Sequence, residues 1–151
     1  ALVGMGASGL FANARVTEEQ KLLAQGIIST VGFATWVDAD SDIDIVTAVS
    51  GSGPAYFFLF MEAMQATAKE MGLSEDLARA LTYHTAAGAA ALAQYSEDDI
   101  ATLRRNVTSP GGTTEQAILQ FEDGDLRGLV AKALKAARTR SVELAEETDS
   151  T

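Results

Sequence analysis

Apolar residues recur every three or four positions over most of the chain, which is the spacing of amphipathic helices. The first such segment opens with a capping box, in which Thr17 precedes Gln20 by three positions, and Gly32 is its predicted end. The apolar stripe of this helix consists of Leu22, Leu23, Ile27 and Ile28. The pattern then weakens, and residues 33–37 are predicted to be a short extended piece.

A second helical segment is apolar on nearly every face. Residues 38–44 predict an acidic turn, residues 45–49 a short apolar segment, and residues 50–54 a flexible elbow with Pro54 at the first helical position. The helix after it is predicted to end at Met71, where Gly72 stops it. Its apolar side chains are Tyr56, Phe57, Phe58, Leu59, Phe60, Met61 and Met64. A helix of this kind is predicted to be central in a larger bundle or pressed against a partner chain.

The rest of the chain predicts four more helices and a polar tail. Their predicted starts are Ser74, the run from Ser96 to Asp99, Thr113 or Thr114, and Asp125. The second of these helices ends near Asn106, the third at Gly124 and the last near Glu147. The fold class is therefore all-α, with a short extended N-terminal segment.

Charge and composition exclude several classes of function. With 11 basic against 21 acidic side chains the net charge is −10, which disfavours nucleic-acid binding. The chain has no cysteine and a single histidine, His84, so any metal site would be built from oxygen ligands. The longest apolar stretch, residues 55–64, is broken by Glu62 and is shorter than the ~20 residues that span a bilayer. No basic region precedes an apolar run at the N-terminus, so no secretory signal is predicted.

Three further candidate sites have a stronger structural explanation. Gly4, Gly6 and Gly9 spell the dinucleotide-binding pattern GxGxxG, but that pattern needs a preceding strand, a following helix and a surrounding strand–helix–strand unit. We expect none of this context here, and therefore a coincidental glycine-rich turn. His84 lies mid-helix, which favours a packed histidine over a catalytic base. The alternating aspartates lack the glycine and closing glutamate of a calcium loop, which favours a solvated turn. These aspartates are Asp38, Asp40, Asp42 and Asp44.

The segment SPGGTT, residues 109–114, is a more specific candidate. Two glycines let the backbone amides turn toward a ligand, and Thr113 or Thr114 opens a helix whose positive end favours a carboxylate. An ordinary helix start with a threonine cap explains the same residues and is favoured on physical grounds alone. Glu97 is predicted in the first turn of its helix, where the helix dipole favours an acid.

Two longer motifs resemble one enzyme family. TAVSGSGPAYFFLFMEAM, residues 47–64, and NVTSPGGTTEQAI, residues 106–118, together resemble pyrroline-5-carboxylate reductase. The resemblance is to the C-terminal helical domain and extends from Ala1 to near Glu147. It implies a helical bundle like the C-terminal domain of 6-phosphogluconate dehydrogenase. Two copies of the chain would form an interlocked homodimer, and the resemblance does not decide whether dimers assemble further.

The resemblance also implies a domain division and a function. Residues 1–16 would be the trailing segment of a nucleotide-binding Rossmann domain, residues 17–147 the dimerisation and substrate domain, and residues 148–151 a tail. The whole cytoplasmic enzyme of proline biosynthesis would reduce 1-pyrroline-5-carboxylate to L-proline with NADPH or NADH. The main cofactor site would lie outside this chain, so we expect the chain alone to be inactive.

The resemblance assigns roles to particular residues. The amides of Gly112, Thr113 and Thr114 with the Ser109 hydroxyl would bind the substrate carboxylate. The Thr114 hydroxyl would sit near the ring nitrogen as the catalytic group. Asn106 would lie at the nicotinamide end of the cofactor, Glu97 at the edge of the pocket, and Thr47 and Ser52 less directly along it.

Two other interpretations remain open from the sequence. A helical dimerisation or interaction module without catalysis would keep the fold and lose the chemistry, although it would have less reason to retain the SPGGTT loop. A related β-hydroxyacid or imine dehydrogenase would carry a lysine at the catalytic helix, and Lys69 is poorly placed for that role.

Overall fold

The computed structural model describes residues 3–149 as two short strands and seven α-helices, with one π-helical turn. The strands are β1 (Gly6–Leu10) and β2 (Gly32–Trp36). The helices are α1 (Glu18–Ser29), α2 (Asp42–Val46), α3 (Gly53–Glu70), α4 (Glu75–Tyr95), α5 (Ile100–Asn106), α6 (Thr113–Asp123) and α7 (Leu126–Asp149). The predicted all-α class with a short extended N-terminal segment is confirmed.

The N-terminal strands form a parallel pair joined by α1. Gly6 lies opposite Gly32 and Leu10 opposite Trp36 in this ladder. The prediction of an extended piece after α1 is confirmed. The predicted helix end at Gly32 is wrong, because α1 ends at Ser29 and Gly32 begins β2 with a φ of +148°. A side chain at Gly32 would meet the backbone of Gly6, so the close pairing of the strands requires glycine there.

The glycines of the GxGxxG pattern do not form a dinucleotide-binding turn. Gly6 and Gly9 lie inside β1, and α1 starts only at Glu18, so no glycine turn joins this strand directly to a helix. The expectation that no strand–helix–strand unit surrounds them is wrong, since β1, α1 and β2 form one. Gly9 instead permits close packing, because a Cβ there would lie 2.7 Å from a methyl carbon of Val46.

The segment predicted as a flexible elbow, residues 50–54, is helical. α2 passes into a π-helical turn, Thr47–Gly51, and α3 begins at Gly53. Pro54 has no N–H to donate to the Ser50 carbonyl four residues earlier, and its ring would clash with that carbonyl in a regular α-helix. The turn widens instead, and the Ser52 N–H donates to the Thr47 carbonyl at 2.8 Å. Helix also begins at Asp42, inside the predicted acidic turn.

The remaining helix boundaries follow the predicted signals closely. Ser74 caps α4 through the Leu77 N–H, and Asp125 caps α7 through the Gly128 N–H at 3.1 Å. Gly72 has a φ of +105° and ends the α3 region, as predicted. α7 continues through Asp149, two residues beyond its predicted end, and residues 150 and 151 of the predicted tail lie outside the described part.

Within residues 3–149, side-chain burial is confined to small residues. The buried ones are Ala48, Ala78 and Thr82, together with Gly53. The chain exposes 11510 Å², whereas a folded monomer of 15.8 kDa exposes ~7,300 Å². The continuous helical stretch Asp42–Glu70 is long and apolar enough to cross a membrane by length and composition, which many core helices of soluble proteins also are.

The chain divides into two compact units. The first comprises the residues up to 55 and those from 130 onward, and the second comprises residues 56–129. In the first unit, the Ser141 hydroxyl on α7 donates to Asp44 on α2 at 2.7 Å. In the second, the rings of Phe60 on α3 and Phe121 on α6 lie 5.9 Å apart.

Candidate functional site

The SPGGTT segment forms a tight turn followed directly by α6. Pro110 occupies the second position of the turn, Gly111 the third with a φ of +72°, and the Gly112 N–H donates to the Ser109 carbonyl at 3.0 Å. Proline followed by a glycine of positive φ is typical of a type II turn. The turn therefore needs Gly111 for its backbone conformation, and it delivers the chain to the start of α6.

The start of α6 presents free backbone donors. Gly112 is the N-cap residue and makes no side-chain capping bond, so the predicted threonine cap is wrong. Among residues 3–149, the N–H groups of Thr113 and Thr114 donate to no protein acceptor, as is normal in the first turn of a helix. Both residues are exposed, and their donors carry the positive end of the helix dipole. The geometry suits a small anion such as a carboxylate.

Two other amides of the loop are already occupied. The Gly112 N–H is engaged with the Ser109 carbonyl, although it is one of the three amides expected to bind the substrate carboxylate. The Gly111 N–H donates to the Oε2 atom of Glu115 at 2.8 Å. Sequence reasoning missed Glu115, and the signal was an acid at the third position of the helix, which commonly reaches back to a backbone N–H.

The bend before α5 adds a further predicted residue to this unit. Glu97 is exposed and lies in this bend, so its predicted place in the first helical turn is wrong. The neighbouring Asp98 accepts a long hydrogen bond, 3.4 Å, from the side-chain amide of Asn106 at the end of α5. Through Asp98, which the sequence analysis did not single out, the structure ties Asn106 to the bend that carries Glu97.

Asp99 is the residue that caps α5. Its carboxylate accepts the Thr102 N–H at 2.8 Å and the Thr102 hydroxyl at 3.0 Å. The backbone bond and then the hydroxyl bond hold the pKa of the Asp99 carboxyl below its ordinary value of 3.8. Asp99 at the start of α5 thus accepts one of the first-turn N–H groups of that helix, whereas the Thr113 and Thr114 donors of α6 are open.

An ion-pair cluster joins the two helices that flank the loop. Arg104 on α5 and Arg127 on α7 both reach Glu122 on α6, at 3.1 and 2.8 Å. The hydrogen bonds from Arg127, with the charges of both arginines, lower the pKa of the Glu122 carboxyl. All three side chains are more than a third exposed, so the cluster links α5 and α7 to α6 but contributes little to stability.

Thr47 and Ser52 belong to the other unit. Both are half-buried, and they bracket the π-helical turn, whose hydrogen bond runs from the Ser52 N–H to the Thr47 carbonyl. A π-turn inside a helix often marks a functional position. The structure thus brings the predicted residues of the loop, Asn106 and Glu97 together in one unit, and it holds Thr47 and Ser52 together in the other.

The remaining candidate residues do not form a functional site within residues 3–149. His84 is exposed on α4, so the expectation of a packed histidine is wrong for the chain as described. Lys69 pairs with Glu75 at 3.2 Å at the end of α3. Across residues 3–149, no three acidic or histidine side chains cluster closely enough to hold a metal ion.

Comparison with known proteins identifies the family. The family model described as "Pyrroline-5-carboxylate reductase dimerisation" matches residues 40–144, which is more than two thirds of the chain. The chain belongs to this family. A pyrroline-5-carboxylate reductase of Pseudomonas aeruginosa is 54% identical over 147 residues, and one of Bacillus subtilis is 33% identical over the same length. The chain spans about half the length of the curated relatives it matches, 54% and 52% in these two.

Solved structures of pyrroline-5-carboxylate reductases share the fold of this family member. The Coxiella burnetii protein superposes with a TM-score of 0.91 at 51% identity, covering 94% of this chain and 53% of that one. The Plasmodium falciparum protein, solved with NADP bound, gives a TM-score of 0.86 at 31% identity, covering 93% of this chain and 53% of that one. The resemblance predicted from the sequence is confirmed.

Proposed function

We propose that this chain is the dimerisation and substrate-binding half of a cytoplasmic pyrroline-5-carboxylate reductase, which reduces 1-pyrroline-5-carboxylate to L-proline with NADPH or NADH. The observation that carries the proposal is the match of nearly the whole chain to about half of reductases from several organisms. Alone, the chain binds but does not reduce the substrate, because most of the cofactor site belongs to the other half of the enzyme.

Exposed apolar residues on α3 support a homodimer. Phe57, Phe58 and Leu59 are each about two thirds exposed in the single chain. Contiguous large apolar side chains at a surface mark an interaction site, and the accessible area exceeds that of an ordinary monomer by far more than the ~800 Å² that one partner buries in a standard interface. A second copy of the chain covers these residues.

The loop before α6 supports binding of the substrate carboxylate. In this proposal the free amides of Thr113 and Thr114 donate to the carboxylate, and the exposed Ser109 hydroxyl donates beside them. The Gly112 amide contributes only as a shared donor, because it already serves the turn. Charge-assisted bonds from backbone amides fix the position of the ring and leave its C=N bond facing the cofactor.

The catalytic role of the chain is orientation. The Thr114 hydroxyl lies beside the ring nitrogen, Asn106 beside the nicotinamide, and Glu97 at the edge of the pocket, with Thr47 and Ser52 less directly along it. The nicotinamide supplies the hydride to the C=N carbon when the cofactor is bound. The imine nitrogen of the substrate is readily protonated to the iminium that accepts the hydride, so the chain needs no strong general base and contributes chiefly by holding the substrate in place.

The described residues fit only the edge of a dinucleotide site. Gly6 and Gly9 lie within β1 and form no phosphate-binding turn, whereas Asn106 is exposed and held by Asp98 near the carboxylate loop. The residues that bind the phosphates and the ribose therefore belong to the other half of the enzyme, which also decides between NADPH and NADH.

Two measurements on the same sample test the proposal. Light scattering after size exclusion is expected to give twice the chain mass, and Phe58→Asp to give a monomer, while Phe58→Leu stays dimeric. Calorimetric titration of the dimer with L-proline is expected to show saturable binding that Thr114→Ala weakens about tenfold, and pyrrolidine, which lacks the carboxylate, is expected not to bind. A stable folded monomer, or equal binding of proline and pyrrolidine, would contradict the proposal.

A further inference from the structure

Glu115 makes a contact that the reductase function does not by itself require. It is the third residue of α6 and is half-buried, and its Oε2 atom accepts the Gly111 N–H at 2.8 Å. Gly111 is the one residue of the turn with a positive φ. The carboxylate thus reaches back over the helix start and fixes the residue on which the turn geometry depends.

This contact decides which amides of the loop remain open. The Gly111 N–H is taken by Glu115 and the Gly112 N–H by the Ser109 carbonyl, whereas the Thr113 and Thr114 N–H groups are free. Two hydrogen bonds hold the turn: one lies within the turn, and the other joins the turn to Glu115 on α6. A loop held in this way meets a ligand with little further ordering, which lowers the entropic cost of binding.

We propose that Glu115 is a positioning residue, which holds the Ser109–Gly112 turn so that the free amides of α6 meet a small carboxylate ligand. The inference rests on the proposed function, because it gives Glu115 a role at the same loop. The hydrogen-bonding oxygen is the useful part of the side chain. Its negative charge is a disadvantage, since it repels the ligand carboxylate.

Three variants of Glu115 separate the effect of side-chain length from the effect of charge. Glu115→Gln keeps an acceptor oxygen at the same distance and removes the charge. Glu115→Asp keeps the charge but is one methylene too short to reach Gly111, and Glu115→Ala removes both. Gln116→Ala, at the exposed next residue of α6, is the matched control for effects on the helix itself.

Calorimetric titration of the folded chain with L-proline tests the role. Binding is expected to weaken about tenfold in Glu115→Ala and Glu115→Asp, and to remain equal or become tighter in Glu115→Gln and Gln116→Ala. Amide hydrogen exchange is expected to accelerate at Gly111 in the Ala and Asp variants only. A side chain that serves helix stability alone would move the melting temperature without this pattern of rescue.

Opposite results overturn the proposal in distinguishable ways. Unchanged affinity in Glu115→Ala, or an equal loss in Glu115→Gln and Glu115→Ala, overturns the positioning role alone. Tighter binding in both the Ala and the Gln variants overturns it too, because Glu115 would then compete with the ligand. Failure of the unmodified chain to bind L-proline, with the Gly111 amide still protected, overturns the carboxylate site of the proposed function and the positioning role with it.

Discussion

Two segments of similar composition, residues 50–54 and residues 109–112, adopt different structures: the first is helical and the second is a turn. Both combine serine, glycine and a single proline beside a helix. The first is part of an almost continuous helix that widens into a π-turn, and the second is a type II turn that lies between α5 and α6 and leads directly into α6. The order of the residues explains the difference. Pro54 follows its glycines and Pro110 precedes them, so one proline joins a helix and the other sets the second position of a turn.

The difference has a chemical consequence. In the first segment the backbone donors are consumed inside the helix, as in the bond from the Ser52 N–H to the Thr47 carbonyl. In the second, the turn leaves the Thr113 and Thr114 donors free at the start of α6. A glycine-rich segment therefore offers an anion site only where it interrupts the helix.

Occupying the free N–H donors at the start of α6 is expected to have the largest effect, which is a loss of ligand affinity. Gly112→Asp places a carboxylate at the N-cap, where it accepts first-turn N–H groups and repels a ligand carboxylate, so L-proline affinity should fall about 100-fold. Gly112→Ala is the control for size, because a Cβ there would lie 3.0 Å from the Ser109 carbonyl oxygen. Calorimetry that finds the two variants equally impaired would assign the loss to crowding, and unimpaired binding in Gly112→Asp would place the ligand elsewhere.

Substitution of the turn glycine, Gly111, is expected to have the next largest effect, which is a loss of unfolding free energy. Gly111→Ala puts a side chain at a φ of +72°, which costs ~1–2 kcal/mol of unfolding free energy, although no atom lies within 4 Å of the new Cβ. The helical Gly51→Ala is the matched change in the other segment. Its Cβ would meet Thr47 at 3.6 Å, an ordinary contact, and it should leave stability unchanged or raise it by ~0.5–1 kcal/mol. Denaturant unfolding measures both variants. If their changes in unfolding free energy had the same sign, the two segments would not differ in their need for glycine.

The smallest expected effect is local and depends on pH. Asp99 accepts the Thr102 N–H in the first turn of α5, and its hydrogen bonds from Thr102 depress its pKa when folded. A depressed pKa means that the contribution to stability is full well above the ordinary value of 3.8 and is lost as the pH falls through the lower, folded pKa. Hydrogen exchange should therefore accelerate at the Thr102 amide in acid while the free Thr113 amide shows no such step. Asp99→Asn, which caps without titrating, should abolish the step, and its persistence would assign it to another group.

Much of the fold was predictable because helix ends carry local signals. Thr17, Ser74, Asp99 and Asp125 cap helices through their own side chains, and Gly72 ends one through its backbone freedom. The loop before α6 was likewise recognisable from its glycines. The errors at residues 50–54 and at Gly32 have another origin, since both depend on what the backbone meets several residues away or in a neighbouring strand.

The sequence alone determined the family, the helix starts and the anion-seeking loop, because capping, turn chemistry and two long motifs act within a few residues of each other. The bond from the Gly111 N–H to Glu115, which decides which amides of the loop are free, is local as well, since it spans only four residues. Only the tertiary structure decided that Phe57, Phe58 and Leu59 lie exposed in the single chain. Hydrophobicity states that a residue should be buried, but only the packing of the whole chain shows whether the chain itself can bury it.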